Sequence, residues 1–276
     1  MIFSTHEPLG YLDTYIESIF HYQDFVPDHS IERVIPTGHC FLIFELDGFE
    51  RNTFHNDTLK PRETFTKAWI SGVHEHYISI SAHKNSEMLV VQFRPYGAHA
   101  FFHSRMDDLK DRVVPAEQVV GDEVLELQRQ MLLADSVQGK FGLIEQWLHK
   151  RFNENNAPSD ELMAIANTIA VNTTQPLGET VATYSKTQKH LIDQFKKYIG
   201  ITPKYYQRIH RFNELLQMVH KSEEIEWSQV AYQFEYSDQS HFIKEFKHFS
   251  GLNPEKFIRN GFHKTEPNFF PLDRHG

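Results

Sequence analysis

The C-terminal third of the chain carries one pattern of apolar and polar positions twice, 51 residues apart. The first copy contains Leu191, Phe195, Lys196, Gly200 and Pro203, and the second contains Phe242, Phe246, Lys247, Gly251 and Pro254. In each copy the two apolar residues share one face of a helix, the glycine ends that helix, and the proline begins the next one. The repeat therefore predicts two similar helical units in tandem.

Each unit is predicted to be a helix-turn-helix. In the second unit, Trp227, Val230, Ala231 and Phe234 form one buried helical stripe, and Ser237 or Asp238 can cap the following helix. In the first unit Thr187 is the predicted cap. The polar side chains opposite the buried stripes suit DNA, since glutamine can pair with adenine and lysine with guanine or phosphate. The predicted DNA-contacting residues are Gln188, Lys189, Lys196 and Lys197 in the first unit, and Gln239, Ser240, Lys244 and Lys247 in the second.

These motifs resemble those of the AraC/XylS transcription regulators. The resemblance rests on the run from Val230 through Tyr236-Ser237-Asp238-Gln239-Ser240-His241-Phe242 to Phe257, and on the run from Leu191 through Gly200-Ile201-Thr202-Pro203 to Phe212. It implies a seven-helix DNA-binding domain over residues 159–263, in which a long helix joins the two units. It also implies recognition helices in successive major grooves, about 34 Å apart.

The chain departs from the family pattern at three positions. Glu235 stands where the family has a turn glycine, and Ser185 is nearest that position in the first unit. A residue other than glycine in the left-handed region costs about 1 kcal/mol, unless the turn differs. Asp193 stands where the family often has arginine, and its carboxylate would repel phosphates, although it could accept from cytosine. We therefore expect the first recognition helix to contribute less to DNA affinity than the second.

Length, composition and cysteine content set the class of protein. A chain of 276 residues with 40% hydrophobic residues favours two domains, each with its own core. The single cysteine, Cys40, excludes a disulfide within the chain, fits a reducing cytoplasm, and is predicted to be a buried apolar thiol. No segment approaches 18 apolar residues and no signal peptide is visible, so we expect a cytoplasmic protein without a membrane partner.

Charge is divided unevenly between the two halves. Residues 1–157 contain 14 lysines and arginines against 23 acidic residues, whereas residues 158–276 contain 14 of each. A DNA-binding domain without net charge predicts modest non-specific affinity and reliance on a homodimer. The acidic N-terminal half is not expected to bind nucleic acid.

The N-terminal half reads as strands followed by helices. Short apolar runs predict strands at residues 31–36, 40–47, 64–71, 77–82 and 87–94, and helices at 98–103, 123–133 and 141–152. The predicted fold is α+β and multidomain, with a cupin-like β-barrel or sandwich and following helices over residues 1–155. Residues 32–39 and 92–98 resemble the N-terminal domains of some AraC-type regulators, which implies effector sensing or dimerisation. A tail at 264–276 either folds back on the C-terminal domain or is disordered.

Few residues of this half suggest chemistry. His74 and His76 on a strand would share one face, as in metal-binding cupins, although exposed histidines are the simpler interpretation. Glu45 and Asp47 could be an inward acid–base pair or solvated at an edge. Arg94 could hold an anionic ligand or form a structural salt bridge. No nucleotide-binding or nucleophile motif is present in the sequence, and no cofactor is predicted.

The sequence predicts a bacterial transcription regulator and not an enzyme. Its partners would be double-stranded promoter DNA, a small-molecule effector, a second copy of the chain, and RNA polymerase if it activates transcription. Two alternatives stay open. One is a metal-dependent cupin enzyme fused to a helix-turn-helix, and the other is a helix-turn-helix unit that binds protein.

Overall fold

The structure is a computed structural model that describes residues 1–222, 225–264 and 268–273. The strands are β1 Ile2–His6, β2 Ile16–Phe25, β3 Ile31–Val34, β4 Phe41–Glu45, β5 Arg51–Phe54, β6 Pro61–Phe65, β7 Ala68–Ser71, β8 Ile78–Ser81, β9 Ser86–Phe93, β10 Val113–Pro115 and β11 Phe269–Pro271. The helices that follow the first nine strands are α1 His99–Phe102, α2 Glu117–Val120, α3 Glu123–Leu133 and α4 Val137–Arg151. The C-terminal helices are α5 Asp160–Val171, α6 Leu177–Ala182, α7 Gln188–Tyr198, α8 Pro203–Lys221, α9 Trp227–Gln233, α10 Gln239–Ser250 and α11 Pro254–Arg259.

The strands form a sandwich of two antiparallel sheets, which we call the β domain together with helices α1–α4. The first sheet has the order β1-β2-β9-β4-β7-β10, and the second has the order β11-β3-β8-β5-β6. Side chains alternate across β4: Leu42 and Phe44 pack in the core beneath the helices, whereas Ile43 faces the second sheet. The predicted α+β fold with a β-sandwich is confirmed.

The predicted strands are found with two kinds of difference. The segment predicted at 64–71 is two strands, because the chain turns at Thr66 and Lys67 between β6 and β7. The five strands β1, β2, β5, β10 and β11 were not predicted. A register shift between Ile16 and Ser18 interrupts the alternation of β2, which hides its strand pattern. The prediction that Cys40 is a buried thiol is confirmed, and burial raises its pKa.

Among the described residues between 160 and 259, the C-terminal domain has the seven helices that the resemblance implies. Side-chain caps begin five of them: Ser159, Thr187, Thr202, Asp238 and Asn253 each accept a hydrogen bond from a backbone N–H three residues later, as predicted for Thr187 and Asp238. On α8 Tyr206 is buried. None of the helices in the described ranges is both long and apolar enough to cross a membrane.

The two predicted turns differ. Glu235 adopts a φ of +54°, so the second turn keeps the left-handed residue of the family despite lacking glycine. Ser185 is not in that region; its backbone N–H and hydroxyl both donate to Glu161. The first turn therefore has a different backbone, as the sequence had left open.

The C-terminal segment returns to the β domain. β11 pairs antiparallel with β3, placing Phe270 opposite Arg33. Asp273 accepts hydrogen bonds from the backbone N–H groups of Ser30 and Ile31. Two parts of the predicted tail, residues 265–267 and 274–276, lie outside the described residues. The described part does not pack only on the C-terminal domain, as predicted for an ordered tail, because it also extends a sheet of the β domain.

Candidate nucleic-acid interface and interior cavity

Helix α10 presents the predicted DNA-contacting residues of the second unit to solvent. Its buried side chains include Phe242, Phe246 and Phe249. Gln239, Ser240, Lys244 and Lys247 are exposed, as the alternation of buried and polar positions predicted. This side of α10 carries two lysines and no acidic side chain within Gln239–Ser250, where the only acidic residue, Glu245, is buried.

Glu245 fixes α10 against the linker helix α8. Its carboxylate oxygens lie 2.9 Å from Arg208 Nε and 2.8 Å from Arg211 Nη2. Burial raises the pKa of Glu245, but the hydrogen bonds and charges of the two arginines outweigh it and lower the pKa overall. Tyr236 in the turn lies under Arg211, 4.5 Å from the guanidinium carbon to the ring centroid. The second recognition helix is therefore held in a fixed orientation by a buried ionic cluster.

Helix α7 presents its N-terminal end in the same way but has further contacts. Gln188, Lys189 and Lys196 are exposed. Lys197 is half-buried and its ammonium donates to the Tyr198 hydroxyl over 3.1 Å. Asp193 is ion-paired with Arg105 of the β domain, Nη2 to Oδ1 over 3.1 Å. Part of the predicted DNA-facing ridge of the first unit therefore contacts the protein itself.

Both recognition helices end on the β domain. The repeated glycines that follow them, Gly200 and Gly251, have φ of +100° and +72° and lie close to β-domain atoms. A Cβ at Gly200 would lie 3.0 Å from the Met106 carbonyl oxygen, and one at Gly251 would collide with Arg33 and lie 2.6 Å from Tyr77. Since the C-terminal ends of both helices are seated on one body, their polar N-terminal ends are free of it. The N-terminal residues of a recognition helix are those that contact base edges.

His74 and His76 do not share one face as predicted. His74 and His76 lie on the connection between β7 and β8, not on a strand, because the strand ends at Ser71. His74 Nε2 lies 3.0 Å from the Ser71 hydroxyl. The ring centroid of His76 lies 4.3 Å from that of His248 on α10. The strand placement was therefore wrong, and the two rings contact different parts of the molecule. Within the described ranges, no three histidine, cysteine or acidic side chains cluster as a metal site.

Arg94 and Glu45 have different surroundings. The guanidinium of Arg94 donates to Asp13 and Glu17, which matches the salt-bridge interpretation. Glu45 is fully buried, so the interpretation of a solvated edge was wrong. Its Oε1 accepts from Trp69 Nε1 over 2.7 Å and its Oε2 lies 3.0 Å from Arg51 Nε, while Asp47 pairs with the same arginine. Burial, the largest effect, raises the pKa of Glu45 to about 8.

A cavity of about 300 Å³ lies between the two sheets. Aromatic and aliphatic side chains from both sheets form the larger part of its wall, and polar side chains, among them Arg51 and His74, form the rest. Phe269 of β11 and the preceding Asn268 also line it, so the C-terminal segment completes the wall. The sequence did not predict this cavity. The only available signal was the inward apolar set of each strand, which gives no information on the space left between two sheets.

Two family models match the chain in separate parts. Residues 4–115 match a domain of unknown function, DUF6597, and residues 181–260 match a helix-turn-helix domain. Among curated proteins none matches. Solved structures of ToxT from Vibrio cholerae are similar. The apo form of a ToxT variant has 10% identity and a TM-score of 0.44 over 87% of this chain and 97% of that one. Unsaturated-fatty-acid-bound ToxT has 12% identity and a TM-score of 0.44 over 87% and 94%. Both TM-scores are below 0.5, so neither likeness supports a conclusion about ligand or function.

Proposed function

We propose, from the premise that residues 181–260 are an AraC-type helix-turn-helix domain, that this chain is a sequence-specific transcription regulator controlled by a small molecule in the β-domain cavity. One observation carries the proposal. Both recognition helices are seated by their C-terminal ends on the β domain, which leaves Gln188, Lys189, Gln239 and Ser240 exposed at the opposite ends. Two exposed helix ends of this composition suit the base edges and phosphates of a duplex.

The cavity is connected to the DNA-binding domain through the loop after β3. Pro36, Thr37 and His39 line the cavity, and the Pro36 carbonyl accepts from Asn213 of α8 over 2.8 Å. A ligand that favours one position of this loop also favours one arrangement of α8 and the helices packed on it. DNA affinity then changes by the difference in ligand binding free energy between the two arrangements.

The lysines of α10 provide the direct test. In fluorescence anisotropy with promoter DNA taken from beside the gene, Lys244→Ala combined with Lys247→Ala should weaken binding by at least tenfold. It should also lower the salt slope by about 2, one unit for each lost phosphate contact.

A matched control is Lys84→Ala combined with Lys150→Ala, two exposed lysines of the β domain. This control should leave affinity unchanged. Equal binding by both double variants would overturn the proposal and favour a helix-turn-helix module that binds protein.

The other predicted partners follow from this function. A homodimer would add the affinity that a neutral domain lacks, RNA polymerase would be contacted if the protein activates, and a chromosomal target places it in the cytoplasm. The proposal assigns no enzymatic activity. The metal-dependent cupin alternative loses its main support because His74 and His76 contact different surroundings.

A further inference from the structure

We propose that the cavity between the sheets binds an uncharged, mainly apolar small molecule that carries one hydrogen-bond acceptor, and that Phe269 and Asn268 close the wall over it. The inference rests on the proposed function, in which this cavity is the effector site. It names the chemical class of the effector and the part of the C-terminal segment that contacts it.

The wall determines the apolar character of the ligand. Rings and aliphatic chains from both sheets surround the space, among them Phe20, Phe41, Phe65, Trp69, Met88 and Phe269. The volume of about 300 Å³ is at the lower limit for small-molecule sites, which are mostly apolar with a few placed polar groups. A compact ligand with one or two rings fits a space of this size and apolar character.

Arg51 is the reason that the ligand should carry a hydrogen-bond acceptor. It lines the cavity, is 3% exposed, and its Nη1 has no hydrogen-bond partner among the described residues. Its other nitrogens face Glu45 and Asp47. A buried N–H without an acceptor is costly, and a carbonyl or ether oxygen on a ligand would satisfy it.

The local charge balance determines that the ligand is uncharged. Arg51 is the only lysine or arginine among the described residues of the wall, and it is already ion-paired with Asp47. Glu32, the only acidic residue of the wall, lies beside His29. Burial lowers the pKa of His39 and of His74 to about 4, so neither ring supplies positive charge at pH 7. An anion would therefore be buried beside Asp47 without a free cation, and a cation would have to displace Arg51; each arrangement carries a large desolvation cost.

The closing wall is a strand of the C-terminal segment. The backbone carbonyl of Asn268 accepts a hydrogen bond from the Ile35 N–H over 2.9 Å, and its side-chain amide donates to the side-chain oxygen of Asn213 on α8. Phe269 is 43% exposed at the cavity wall. A ligand that covers this ring stabilises the pairing of β11 with β3, and the same segment contacts α8.

The experiment uses four probes with one apolar body and different heads. They are 4-acetylbiphenyl (carbonyl acceptor), biphenyl (no acceptor), biphenyl-4-carboxylate (anion) and 4-biphenylmethylammonium (cation). Binding to the full chain without DNA is measured at pH 7 by isothermal titration and by thermal shift. The ketone should bind at least tenfold tighter than either ion and about fivefold tighter than biphenyl, the ratio expected for one hydrogen bond.

Two variants locate the site. Val90→Phe fills the cavity from the first sheet and should abolish ketone binding. Phe269→Ala should weaken it several-fold, whereas Phe3→Ala, an exposed phenylalanine outside the cavity wall, should not.

Tighter binding of the carboxylate or the ammonium, no binding of the ketone, or ketone binding unaffected by Val90→Phe would each overturn the inference. Because DNA is absent, these results are independent of the lysine test. A protein that binds the ketone but not promoter DNA would contradict the proposed function alone.

Discussion

The two helix-turn-helix units share one spacing but differ in what holds them. Helix α10 is fixed by the cluster of Glu245, Arg208 and Arg211 within its own domain, and its exposed side carries Lys244 and Lys247. Helix α7 carries Asp193, which is tied to Arg105 of the other domain. The repeat thus preserves one helical framework, and the first unit adds an ion pair to the β domain on its exposed side.

Both units therefore contact the β domain, but the first does so through Asp193 on its predicted DNA-facing side. The interface is rich in aromatic and histidine side chains on both sides. Tyr205 of α8 donates to the Glu75 carbonyl over 3.0 Å and hydrogen-bonds His248, and His210 packs beside Gly38. Five measurements would test how the two units differ.

Lowering the pH should weaken the interface between the β domain and the C-terminal domain. Burial lowers the pKa of His39 to about 4 and of His210 to about 3, below the usual value near 6.5. The neutral forms are therefore favoured in the folded state. The two neutral rings contribute fully to the free energy of unfolding above pH 6.5. This contribution is lost as the pH falls toward 4 and then 3, by about 1.4 kcal/mol per pH unit for each ring.

Urea unfolding between pH 7 and 4.5 measures this loss. His210→Phe should reduce the slope of stability against pH, whereas His55→Phe, at an exposed position, should not. An unchanged slope in His210→Phe would show that the interface does not titrate as described.

Gly251→Ala should cost more than Gly261→Ala. Both glycines have a φ of +72°, so the conformational strain is the same, about 1 kcal/mol. Only at Gly251 does a Cβ collide with the β domain, which adds about 1–3 kcal/mol of overpacking. Thermal and urea unfolding would measure the difference, and equal losses would mean that α10 is not seated on Arg33 and Tyr77.

The second recognition helix should dominate DNA affinity. Gln239→Ala and Lys244→Ala should weaken promoter binding by about tenfold each, in keeping with about 1–3 kcal/mol for a base contact. Lys189→Ala and Lys197→Ala should have smaller effects, since Lys197 is half-buried against Tyr198. Anisotropy titrations of the four variants decide the order, and the reverse order would contradict the comparison.

Asp193→Asn should raise DNA affinity about fivefold, because a negative charge beside the phosphates is removed. Arg105→Ala should lower it, since the carboxylate then lacks its cation. Neither variant should change stability much, because the ion pair is exposed. If Arg105→Ala also raised affinity, the pair would act as a restraint on α7 and not through its charge.

Glu235→Gly should give the smallest effect, a stabilisation of about 0.5–1 kcal/mol by removal of left-handed strain at φ +54°. Ser185→Gly, at the matching position of the first unit, should destabilise, because the hydroxyl hydrogen bond to Glu161 is lost. Differential scanning calorimetry of both variants would show whether the two turns differ as described. A gain in both would contradict it.

Local signals in the sequence predicted the C-terminal domain well. Caps such as Ser159 and Asp238, and the repeated glycines, act over three or four residues and are visible in the chain. The β domain depends on distant pairings. Arg51 lies on a strand that was not predicted, and β11 is too short to carry a pattern of its own. The cavity and its polar groups could therefore not be predicted from the sequence. The same holds for the ion pair between Asp193 and Arg105, which are 88 positions apart.

The pairing of β11 with β3 has a consequence for biogenesis. Ser30 and Asp273, joined by hydrogen bonds beside this pair, are 243 positions apart, so at ordinary rates of translation the edge of β3 emerges on the order of ten seconds or more before its partner strand. An uncovered strand edge is a template for association with other chains. A ribosome-bound nascent chain, or a protein truncated before Asn268, would thus expose the unpaired edge of β3, which β11 covers in the folded protein.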